Sequence, residues 1–140
     1  MSNKISTVVD NIATGLASLV PDTIREIKRK VINAQTEQDP PVMGISISRF
    51  WRTADDCWHA QALVQLVTRK GGDEVDEATI DLTADVAANI QTTIDAGDIG
   101  GHVDKPVFDT WHNRSGNDDL TLVGVMATID IQVKGPLKTE

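Results

Sequence analysis

Three histidines, one cysteine and a few serines are the residues of this chain whose types could carry chemistry. His59 follows Asp55 by four residues and Asp56 by three, His102 lies in a glycine-bearing stretch, and His112 lies near a tryptophan. A metal site built on them would need paired ligand spacings of the HExxH kind, and none occurs. They read as solvated or structural histidines. Cys57 stands two residues from His59, which suggests a thiolate–imidazole pair. Asp55 and Asp56 disfavour a thiolate there, so the cysteine reads as inert. Ser115 sits in Arg-Ser-Gly rather than a GxSxG elbow. Gly71-Gly72 and Gly100-Gly101 lack the lysine and the spacing of a phosphate-binding loop. No catalytic residue, metal or cofactor is expected.

Composition narrows the field further. The 140 residues suit one domain spanning 1–140, and 40% hydrophobic against 24% charged residues is enough apolar material for a core. The net charge of -8 opposes nonspecific attraction to nucleic-acid phosphates or anionic membranes. A single cysteine excludes an intrachain disulfide framework. No unbroken apolar run has the length of a signal peptide or a membrane span, so the expectation is synthesis in the cytoplasm and no membrane partner.

The elements that must position these residues follow from periodicity. Ile5, Val8, Val9, Ile12, Leu16, Leu19 and Val20 recur at helical spacing, with Ser2 or Asn3 as the cap and Pro21 as the stop, predicting a helix over 3–19. Residues 23–31 are either a short helix or a charged edge strand. Residues 33–41 read as a loop. Met43, Ile45 and Ile47 alternate as a strand, and residues 57–69 alternate again, with Trp58, Ala60, Ala62, Val64 and Leu66 on one face. Gly71-Gly72 marks a turn. Residues 73–82 begin with the acidic run Asp73, Glu74, Asp76, Glu77 and continue as either a returning strand or the start of a helix. From Thr83, a plausible N-cap, Val86, Ile90 and Ile94 keep helical spacing until Gly97. Residues 98–105 read as a loop, 107–112 as a short strand and 113–119 as a turn. The alternation of Thr121, Val123, Val125, Ala127, Ile129, Ile131 and Val133 predicts the longest strand. The expected fold class is α+β, an antiparallel or mixed sheet of about four to five strands with two helices packed on one face.

What remains is binding. Trp51, Trp58 and Trp111 are expected near strand ends, where each either closes the core or, with Arg52, anchors a subunit contact. Arg25, Lys28, Arg29 and Lys30 form the one cationic cluster, with no tyrosine anywhere to support nucleic-acid recognition. They read as a solvated face or a contact with an acidic neighbour, and Arg25 and Arg29 are candidate interface residues. A sheet this small also has edges open to pairing.

The layout resembles the tail terminator (tail completion) proteins of long-tailed bacteriophages. The likeness is carried by a first amphipathic helix ending in Leu19-Val20-Pro21, a polar loop ending in Pro40-Pro41, a strand over 42–49, a longer strand with Trp58, a helix and two closing strands. The resemblance implies a virion protein that forms a homo-hexameric ring on the tail tube protein, ends tube polymerisation and meets a neck or head-closure connector. Genomic DNA would pass through an acidic lumen without specific binding. On that reading Asp73, Glu74, Asp76 and Glu77 are candidates for a lumen or rim facing DNA; otherwise they are a solvated acidic hairpin. Another neck component of the same architecture, or a small ligand-binding module using a cleft near Asp56, Trp58 and His59, are the alternatives.

Overall fold

A computed structural model describes residues 3–34, 40–68, 74–114 and 120–138. The N-terminal stripe forms helix α1 (Lys4–Leu16), continued by a 3-10 turn over Ala17–Leu19. Asn3 is the cap, its side-chain oxygen accepting from Ser6 N–H at 2.7 Å. Ile5, Val8, Val9, Ile12 and Leu16 are all buried, as the stripe requires.

The uncertain segment after Pro21 resolves as strand β1 (Glu26–Lys28), which pairs parallel with β2 (Val42–Thr53). A three-residue turn over 54–56 leads into β3 (Cys57–Val67), antiparallel to β2. Asp56 closes that turn in the left-handed region, φ 58°, which aspartate tolerates better than most residues. Helix α2 (Glu77–Asp95) follows, then β4 (His102–Val103), β5 (Val107–Arg114) and β6 (Leu120–Lys134). The sheet order is β1–β2–β3–β6–β4, and β5 pairs with β6 as well. β4 lies beside Ile131 and Gln132, and β5 beside 120–128, so the two share one side of β6. The six strands thus fill five positions, and the expected α+β class holds: a curled mixed sheet with both helices on one face. No helix among the described residues is long and apolar enough to cross a membrane.

The main core lies between helices and sheet. α1, together with Leu82, Val86 and Ile90 of α2, packs on Met43, Ile45, Ala60, Ala62, Val64, Leu66, Val125, Ala127, Ile129 and Ile131. A smaller cluster of Ile32, Ala34, Val42, Val67, Trp111 and Val123 forms on the opposite, otherwise open face. It exists because residues 29–34 cross that face. Gly44 is the crossing point: a Cβ there would lie 2.8 Å from Lys30 O, so only glycine admits the strap.

Four expectations are corrected. Thr83 is not the cap of α2. Asp76 is, accepting from Thr79 N–H at 2.8 Å, while the Thr83 hydroxyl donates to Thr79 O at 2.7 Å inside the helix. The 98–105 stretch contains β4 rather than loop alone. The alternation of β6 is also broken. The β5–β6 register shifts between Trp111 and His112, skipping Val123, so Val123 and Val125 fall in different clusters. The turn expected over 113–119 starts later, because Asn113 and Arg114 continue β5 in pairing with β6; its remaining residues 115–119, like the turn at 71–72, lie outside the described residues.

Candidate functional site

The surface richest in recognition chemistry is the end of the β2–β3 hairpin, and a bulge makes it. Up to Ile47 the core-facing residues of β2 are Met43, Ile45 and Ile47. The register then skips Ser48, and Phe50 and Arg52 take that face instead. The switch sends Arg49 and Trp51 to the open face. There Trp51 stacks on its cross-strand partner His59, ring centroids 5.1 Å apart and planes within 6°. The Arg49 guanidinium lies 4.4 Å from the Trp51 ring centroid. On the other face Phe50 stacks on Trp58 at 5.2 Å and 4°, with the Arg52 guanidinium 5.4 Å from the Trp58 ring.

The turn is tied down by polar contacts. Arg52 Nη2 bonds Asp56 Oδ1 at 2.6 Å. The Thr53 hydroxyl donates to the Asp55 carboxylate and lies 3.3 Å from His59 Nε2. That hydroxyl, with the backbone amide of Asp55 as the next contribution, holds the Asp55 carboxyl below its ordinary pKa of 3.8. Beside Phe50, which is 50% exposed, an apolar groove of about 470 Å³ is lined by Ile5, Ile47 and Leu137. This hairpin end is a double layer of stacked rings, exposed at Phe50 and half-buried at Trp51, Trp58 and His59, beside the exposed Arg49 and Arg52; aromatic and arginine side chains are the types enriched in protein–protein contacts.

The other candidates are scattered. Trp111 is only 7% exposed and completes the smaller cluster, so the core-closing alternative describes it rather than the interface one. Arg25 pairs with Glu26 at 3.3 Å, and Arg29 pairs with Asp10 of α1, both beside a groove between α1 and β1. Glu74, Asp76 and Glu77 are exposed at the start of α2; Asp73 lies outside the described residues. Their position gives Asp76 and Glu77 a structural task as well, since acids at a helix N-terminus cap amides and complement the dipole.

A ligand cleft uniting Asp56, Trp58 and His59 does not form, because Trp58 and His59 face opposite sides of the sheet. The hollow beside His59, bounded by Arg49, Trp51, Gln61 and Asp130, holds about 210 Å³, below the usual range for small-molecule pockets. Cys57 is buried, and His102 pairs with Asp104 at 3.0 Å on the surface. Among the described residues no three His, Cys, Asp or Glu side chains converge as metal ligands.

Sequence reasoning missed Arg49, Phe50 and Ile47. The signal was the change of spacing in β2, two residues between Met43, Ile45 and Ile47 and then three to Phe50, which announces the bulge. No protein-family model and no curated protein matches the chain.

Proposed function

We propose that this chain is a structural virion protein of the tail terminator kind. Six copies close a ring on the last layer of the tail tube, end its polymerisation and join it to the head connector. The reading rests on the resemblance in element order and on one observation above the others: the β2–β3 hairpin end keeps Phe50 half exposed and carries Trp51, Trp58, Arg49 and Arg52 outside the main core. A half-exposed Phe50 beside half-buried stacked rings is apolar surface that a neighbouring copy can cover, so such a surface suits an assembly part. The exposed acids Glu74, Asp76 and Glu77, in a chain of net charge -8, suit a rim past which DNA slides without adhering.

Light scattering on the purified chain tests the assembly half of the proposal. A species near six times the 15.2 kDa chain mass, growing in with concentration, is the expected result. A monomer at every concentration that instead binds a metabolite contradicts it.

A further inference from the structure

Strand β5 lies at the margin of the sheet, eight residues long, and among the described residues it pairs with β6 alone. The opposite margin, β1, has three residues and offers little to a partner. Register fixes which groups β5 turns outward. Asp104 N–H donates to Asp130 O on the side of β6 that β4 and β5 share. Counting by two along β6, Thr128 and Met126 point the same way, and their cross-strand partners are Val107 and Asp109. Those two residues exchange bonds with β6, so the outward series on β5 is Pro106, Phe108 and Thr110. Val107 beside them is 70% exposed. A margin of this length is a template for another strand. Its donors, however, are largely withdrawn. Pro106 has no N–H to offer. The Thr110 N–H is taken by the neighbouring side chain: Asp109 Oδ1 accepts it at 2.8 Å, and the Thr110 hydroxyl lies 3.5 Å from the same oxygen.

We propose that the Asp109 carboxylate is a latch that holds the β5 edge shut against strand addition by a second copy. The strand it keeps out is another β5. Two identical edges running antiparallel are related by a two-fold axis, so each presents the donors and acceptors that the other needs. With the latch in place, an incoming strand must break a hydrogen bond to a charged acceptor, which is stronger than one between neutral groups. It must also bring a carbonyl oxygen up against the carboxylate. The latch goes beyond the ring reading and does not rest on it; in a ring, it keeps the contacts between copies off this margin.

Two substitutions at this exposed position test it. Asp109→Thr removes the carboxylate and suits a strand, whereas Asp109→Asn removes the charge but keeps an oxygen that can accept from Thr110 N–H. By sedimentation equilibrium Asp109→Thr is expected to self-associate about tenfold or more tightly than the wild-type chain. Hydrogen exchange at the Phe108 and Thr110 amides should slow as that association sets in, since both point into the new contact. Asp109→Asn is expected to stay close to wild type. Circular dichroism checks that the variants fold. Should Asp109→Thr precipitate, Asp109→Ala, which has less preference for a strand, is measured in the same way. A latch-free variant that associates no more tightly than wild type overturns the proposal. So does association that leaves the Phe108 and Thr110 amides exchanging as before, because the contact then lies elsewhere. An asparagine variant that associates as tightly as the threonine one also overturns it, since charge alone then closes the edge. A wild-type assembly that itself protects the Phe108 amide contradicts it too, the edge being in use.

Discussion

The side chain of Gln65 grips the backbone of Ile32 from both sides: Ile32 N–H donates to Oε1 at 2.9 Å, and Nε2 donates to Ile32 O at 3.1 Å. Gln65 is 5% exposed on the open face of β3, and this pair of bonds fixes the 29–34 strap across the sheet. A glutamine in a half-apolar strand thereby becomes the clamp of the smaller core.

Replacing Gln65 with leucine leaves two buried backbone groups without partners. At about 1–3 kcal/mol for each orphaned group, the expected loss is roughly 2–6 kcal/mol in urea unfolding. Quenching of Trp111, which shares the cluster with Ile32, should rise with it. An unchanged midpoint would mean that the strap is held by something else.

Gly124 sets a stricter limit. A Cβ there would stand 1.8 Å from Leu66 O, so the β3 and β6 backbones cannot keep their pairing around a side chain. Gly124→Ala is expected to cost about 4 kcal/mol or more, among the larger effects of single substitutions. Gly44→Ala should cost less, because a Cβ there meets Lys30 O at 2.8 Å rather than 1.8 Å. Parallel melting curves for the two variants give the order directly.

The cap of α2 separates two readings of one segment. Asp76→Ala should lower stability by about 1 kcal/mol and Asp76→Asn by far less, since asparagine caps as well. Thr83→Ala should have almost no effect, its hydroxyl being bonded within the helix. The same result limits any test of an acidic rim: Glu74→Lys and Glu77→Lys can be made freely, whereas reversing Asp76 also removes the cap.

The β2–β3 turn carries a pH signature. The folded Asp55 carboxyl titrates below its ordinary 3.8, so the turn gains stability that is full above that value and is lost as pH falls through the lowered one. Thr53→Val removes the largest cause. In an NMR titration the Asp55 midpoint of the variant should move back up toward 3.8. A midpoint that stays where it was would place the cause elsewhere.

How much of this could be read in advance depends on the range of the interaction. The α1 stripe and the alternation of β3 were legible because each is a local pattern in which burial follows spacing. The start of α2 was not, since Ala78, Ile80 and Leu82 alternate like a strand; the deciding contact is the Asp76 cap, which a search begun at Thr83 passes over. β1 is three residues long and is a strand only because β2 lies beside it, a pairing no local window contains. At the site, the tryptophans and Arg52 could be singled out by type. Their division between two faces depended on the skipped Ser48, and Gln65 looked like an ordinary polar strand residue until Ile32 was laid across it.

The most direct test of the proposed role is tail length. Electron microscopy of phage particles assembled without this chain should show tubes that run past their normal length and do not join heads. Tubes of normal length without the chain would contradict the account, and if such tubes also failed to join heads, a head-closure component would take the place of a terminator.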